Sequence, residues 1–128
     1  MTFTASLSRE FMNWQPAWSS SMVDVTTGDK FVAENDLPRV DLLKIDTEST
    51  EPQVLAGMLK TIERDRPQII CEVLPDLTET RIEELLSPLG YSFYRITDRG
   101  LVRQESITGD LIFRNYLFSP AAELETND

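Results

Sequence analysis

The chain has 128 residues, 41% hydrophobic and 27% charged, with 12 basic against 22 acidic residues and a formal net charge of -10. That length supports one domain with a core of its own, and a polyanion of this strength repels phosphate backbones and anionic lipid, which argues against nucleic acid and membrane surfaces as partners. The absence of histidine, the single cysteine Cys71 and five isolated glycines exclude histidine-dependent triads, histidine metal sites, an internal disulfide and a glycine-rich phosphate loop.

Residues 1–19 read as an amino-terminal arm rich in serine and aromatics. Phe3, Ala5 and Leu7 alternate with polar residues, a strand pattern. Trp14, Pro16 and Trp18 are expected to cover an apolar surface, either packed on the domain or acting as a substrate lid. Residues 20–119 form the domain, and 120–128 an acidic tail. The lone cysteine points to a reducing, cytoplasmic setting, and no apolar run approaches the ~20 residues of a membrane span.

Met22 to Thr26 predicts a short strand, and Thr27 caps a brief helix over 28–34 with Asp29 in its first turn. Leu37-Pro38 ends it. Residues 40–45, apolar on both faces apart from Lys44, predict a buried parallel strand. A lysine there requires a carboxylate partner, Glu72 or Asp46. A helix follows over 52–64, with Pro52 at its first position and Val54, Leu55, Met58, Leu59 and Ile62 in one stripe. Gly57 within it predicts a close approach to a neighbouring strand.

Pro67 stops that helix, and 68–73 is the second parallel strand, giving a strand–helix–strand crossover of right-handed type. Thr78 or Asp76 starts a helix that turns Ile82, Leu85, Leu86 and Leu89 inward, with Gly90 as its carboxyl cap. Tyr91, Phe93 and Tyr94 are expected on both the core and the surface side of one strand. Closing strands lie near 91–97 and 110–118, antiparallel, with a weaker strand pattern over 101–107. The fold class is α/β.

Asp46 and Glu48 stand just beyond the first parallel strand and Glu72 near the end of the second. At the ~4.8 Å spacing of neighbouring strands these carboxylates meet on one rim, where open α/β sheets bind ligands. Such a group can furnish a general base or a seat for Mg²⁺. The plain alternative is a helix amino terminus stabilised by Glu48 and Glu51, with Glu72 paired to Lys44. Cys71, in an apolar strand without a basic neighbour, reads as core.

The stretches VDLLKIDTESTEPQVLAGM, RPQIICEV, LLSPLGY and NYLF, with VDVTTGDKF upstream, resemble the FkbM-type S-adenosylmethionine-dependent methyltransferases over about residues 20–119. Ser49 stands where that family has glycine and Thr50 where it has alanine; a side chain at Ser49 would crowd a ligand approaching the turn. The resemblance implies the fourth to seventh strands of a Rossmann-like methyltransferase sheet, the carboxyl-terminal half of that domain. Nothing before residue 20 matches the family's first strand and cofactor-binding glycine turn.

The resemblance further implies S-adenosylmethionine as cofactor and transfer of its methyl to a hydroxyl of a small molecule or sugar. Asp46 and Glu48 take the catalytic positions, while Glu72, Lys44 and Glu51 line the substrate pocket. No cofactor-binding residue can be assigned and no metal ligand is expected. The 40–45 strand becomes an open sheet edge, expected to be covered by residues 2–7, a second copy or a partner chain. The alternative is a non-catalytic remnant or binding module that associates through that edge.

Overall fold

The computed structural model describes residues 6–13, 17–122 and 124. In chain order they form helices α1 (Arg9–Met12) and α2 (Gly28–Glu34), strand β1 (Leu42–Ile45), helices α3 (Glu51–Ala56) and α4 (Leu59–Asp65) and strand β2 (Gln68–Glu72). Helix α5 (Glu79–Leu86) follows, running into a 3-10 turn (Ser87–Leu89), then strands β3 (Ser92–Thr97), β4 (Gly100–Gln104) and β5 (Asn115–Ser119). The five strands make one open sheet in the order β1-β2-β5-β3-β4. β1 and β2 are parallel neighbours, with Ile45 opposite Cys71; the remaining pairings are antiparallel.

Strand alternation decides where the core sits. Ile45, Ile69, Cys71, Phe93, Tyr116 and Phe118 point to the face covered by the helices, where they join Leu55, Met58, Ile62, Ile82 and Leu86 in one buried cluster. The other face is open beside β1. Leu42 is 57% exposed and the Lys44 side chain also faces solvent. The expectation of a 40–45 strand buried on both sides therefore fails: β1 ends the sheet, and the helices cover only the side of Ile45.

Residues 22–26 form no strand. Met22, Val23 and Val25 lie exposed in extended chain, because no described strand pairs with them and a lone strand leaves its backbone to water. The tie between α2 and α4 comes instead from Asp29. Its backbone N–H donates to Gly57 O at 2.9 Å, and its carboxylate accepts from Thr61 N, Thr61 Oγ1 and Lys60 N. By capping α4 from outside, Asp29 breaks the predicted 52–64 helix into α3 and α4 at Gly57 and Met58. The close approach at Gly57 is to Thr27, 3.2 Å from where a Cβ would stand, and not to a strand.

Other departures are local. Thr27 caps α2 as expected, accepting from Lys30 N. Pro52 is the second residue of α3, behind Glu51. Thr78 caps α5 without a side-chain bond; Glu79 does that work, its carboxylate accepting from Asp76 N, Leu77 N and Thr78 N. Tyr91, Phe93 and Tyr94 are all buried, so none serves as a surface residue. The closing strand starts at Asn115, since Asp110 Oδ1 accepts from Ile112 N and Phe113 N and folds 110–114 into a turn.

Trp18 is 43% exposed, so it is only partly covered. The strand pattern at Phe3 and Ala5, residues 2–5 of the expected edge cover, Trp14 and Pro16, and most of the acidic tail lie outside the described residues.

Candidate active site at the acidic turn

Ile45 buries its side chain and hands the chain to Asp46, and the next five residues reverse it into α3. Glu48 (φ 53) and Ser49 (φ 84) are successive left-handed residues, a backbone shape that L side chains adopt only when their surroundings enforce it. The enforcement is internal. Thr47 N donates to Glu51 Oε1 at 2.9 Å and Thr50 Oγ1 to Thr47 O at 3.3 Å. Glu51 is 1% exposed.

Three carboxylates converge there. Oxygens of Asp46, Glu51 and Glu72 all lie within 4.8 Å of one another. Glu72 arrives as the last residue of β2, opposite Asn115 of β5. Burial, the charge of Asp46 and a hydrogen bond shared with it, and the charge of Glu48 push the Glu72 carboxyl up to about 7, against a smaller opposing pull from Arg114. Burial and the charges of Asp46 and Glu51 likewise raise Glu48. Near neutral pH Glu72 is therefore poised between its charged and its neutral form.

Glu48 senses Asp46 and Glu51 through its charge, so the four expected acids occupy one locality. Lys44 reaches Asp46 at 4.0 Å with an exposed side chain; the alternative Glu72–Lys44 pair is not formed. Such an exposed pair adds little stability. Cys71 is buried and its thiol is pushed up by burial and by the charges of Glu51, Glu72 and Asp46, which suits core and not a nucleophile.

Two contributors escaped the sequence reading. Arg114 is the cation whose charge reaches both Glu48 and Glu72, and its Nε donates to Leu111 O at 3.2 Å. Its place immediately before the NYLF strand was the available signal. Ser6 Oγ donates to Glu48 O at 2.5 Å. No local pattern announces a bond across 42 residues.

The turn also holds polar atoms without partners: Thr47 Oγ1, Ser49 Oγ and Glu72 Oε2 are buried and unbonded. An acidic mouth with spare acceptors suits a cationic, hydroxyl-bearing ligand. The three converging oxygens also have the chemistry of a hard-cation donor set, although Glu51 already accepts from Thr47.

The Methyltransferase FkbM domain family matches residues 19–93, more than half of the chain. The chain belongs to the FkbM methyltransferase family. No curated protein and no solved structure matches it. The FkbM match takes in α2, β1, the acidic turn, β2 and α5 and ends inside β3; the NYLF stretch that also carried the resemblance lies beyond it. At the position where the family resemblance expects glycine, Ser49 adopts φ 84, a glycine-type conformation. Among the described residues no helix is long and apolar enough to cross a membrane.

Proposed function

We propose that this FkbM domain is an S-adenosylmethionine-dependent O-methyltransferase acting on a hydroxyl of a small molecule or sugar, in the cytoplasm. The observation that carries the proposal is the meeting of Asp46, Glu51 and Glu72 at the carboxyl ends of two parallel strands, within the family-matched stretch. That is where open α/β sheets receive ligands. Four of the five strands, β1, β2, β3 and β5, read as the fourth to seventh strands of a Rossmann-like methyltransferase, with β4 added at the far edge.

S-adenosylmethionine, when bound, supplies an electrophilic methyl on a sulfonium cation. Asp46 and Glu48 would give that cation a negative wall, and one of them would accept the hydroxyl proton as the methyl left the sulfonium for the acceptor oxygen and the neutral thioether was released. Glu72, Lys44 and Glu51 line the acceptor side. Most of the rate comes from holding the two reactants in line, with proton acceptance adding a smaller factor.

The test is calorimetric titration of the chain with S-adenosylmethionine, followed by transfer of labelled methyl to a panel of hydroxyl acceptors. Binding that Asp46→Asn weakens supports the proposal. An absence of heat at millimolar ligand overturns it for this chain.

A second reading rests on a different observation. The outer edge of β1 pairs with no described strand, and Leu42, Met22, Val23 and Val25 are exposed on residues before or within it. An open apolar edge favours association with a second copy or a partner chain, as a binding module or as the means by which the sheet is extended. Sedimentation across a concentration series separates a monomer from either assembly.

A further inference from the structure

The amino-terminal arm meets the acidic turn at one point. Ser6 Oγ donates to Glu48 O at 2.5 Å, from 42 residues away in sequence. The same hydroxyl accepts from Ser8 N at 3.0 Å, which leaves its own proton for Glu48. Behind it Ser8 caps α1, accepting from Phe11 N, and α1 has no buried residue. Among the described residues, the Ser6 bond is the one hydrogen bond that ties residues 6–13 to the rest of the chain.

Glu48 O belongs to the peptide that links two left-handed residues, Glu48 (φ 53) and Ser49 (φ 84). Turning that peptide plane over changes ψ of Glu48 and φ of Ser49 while the flanking chain stays in place. It would take Ser49 to a negative φ, which any L residue accepts. The observed orientation therefore needs a hold. The cost of a left-handed serine and the net worth of one hydrogen bond are of the same order, so a bond to the carbonyl decides which orientation prevails. Thr47 N to Glu51 and Thr50 Oγ1 to Thr47 O fix the two peptides on either side of Thr47. Among the described residues, Ser6 is the donor to the Glu48 carbonyl.

We propose that Ser6 is a positioning residue for the candidate active site: docked on Glu48 O, it holds the Glu48–Ser49 peptide in the orientation that shapes the acidic turn, and when the arm leaves, that peptide flips. Arm and turn form one coupled element, a strap with a fastened and a released state. None of residues 6–13 is buried, and one hydrogen bond shifts such a docking equilibrium by only roughly two- to tenfold, so both states are populated. By reciprocity, a ligand that needs the left-handed turn fastens the arm, and a partner that draws off the arm loosens the turn. The coupling stands without methyl transfer; its bearing on catalysis rests on the methyltransferase reading.

The experiment compares the full chain with its Ser6→Ala and Ser6→Thr variants by NMR. Ser6→Ala is expected to raise the three-bond coupling between the amide and α protons of Ser49, as φ changes sign in part of the population. It should also speed amide exchange at Thr47 roughly two- to tenfold, while Ile69 and Tyr116 in the sheet keep the parent rate. Ser6→Thr, which keeps the hydroxyl, should restore both. The proposal is overturned if Ser6→Ala leaves the Ser49 coupling at the parent value or if Ser6→Thr fails to restore it. Faster exchange at Ile69 and Tyr116 by the same factor as at Thr47 would also overturn it, as a general loosening.

Titration of S-adenosylmethionine into the same three proteins keeps the two readings apart. Weaker binding to Ser6→Ala, regained in Ser6→Thr, carries the strap into the active site. Equal binding to all three overturns the positioning role. Binding to none of them removes the methyltransferase reading for this chain and leaves the coupling of arm to turn standing on the NMR result.

Discussion

Asp46 and Glu72 leave the carboxyl ends of neighbouring parallel strands and meet within a set of carboxylate oxygens spanning no more than 4.8 Å. Glu72 is the member whose affinity for a proton is raised, from an ordinary 4.5 to about 7. The folded protein therefore keeps a proton that the unfolded chain releases between those two values. Its contribution to stability is fully present below about 4.5, is lost as pH rises towards about 7, and changes no further above that. Thermal unfolding across pH 4 to 8 should show that fall, and Glu72→Gln should flatten it. A Glu72→Gln curve with the parent's slope would place the effect elsewhere.

Ser49 occupies φ 84 with its hydroxyl buried and unbonded. Glycine removes both the Cβ conflict and the orphan hydroxyl, at the cost of a more flexible unfolded chain. Ser49→Gly should stabilise the protein by roughly 1 kcal/mol in urea unfolding. Ser49→Ala, which keeps the Cβ, should gain less. Equal effects of the two would show that the hydroxyl and not the backbone carries the cost.

Asp29 caps α4 from another helix through Thr61 and Lys60. Those hydrogen bonds outweigh burial and hold its carboxyl below the usual range. Asp29→Ala should cost about 1–2 kcal/mol, as loss of a helix cap does, and should speed amide exchange at Lys60 and Thr61. Exchange there at the parent rate would mean that α4 caps itself.

Gly109 lies against backbone, and a methyl there would stand 2.4 Å from Pro75 Cα and 2.8 Å from Leu74 C. Since neither atom can swing away, Gly109→Ala should destabilise by roughly 1–3 kcal/mol, the range for overpacking a tight contact. Denaturant midpoints measure it. A neutral result would show the 109 loop to be less tightly docked than its hydrogen bonds imply.

The parallel pair and its connecting helical segment were legible because their signals are local: an apolar run, a proline at the helix start, an apolar stripe and a second run. Asp46 and Glu72 were legible for the same reason, since strand ends fix the rim, whereas the third converging oxygen belongs to Glu51 and not to the expected Glu48. The split at Gly57 was not, because it comes from Asp29, some thirty residues away in sequence. Met22–Thr26 has strand composition, yet composition cannot supply a neighbouring strand. Lys44 misled in the opposite direction: its presence marked a face that stays in water, where an ion-pair partner was sought for a buried one. Arg114 and Ser6 act through tertiary placement that no spacing encodes.

The Asp29–Thr61 contact has a topological result. It buttons together two points that bracket β1 and the whole reversal from Asp46 to Glu51, so the intervening chain is a noncovalently closed ring. A single cut in the exposed connection between Asn35 and Arg39 would open that ring without releasing either piece, since β1 remains laced to β2 and α2 remains fastened to α4. The cluster of acids should keep its shape in the nicked protein.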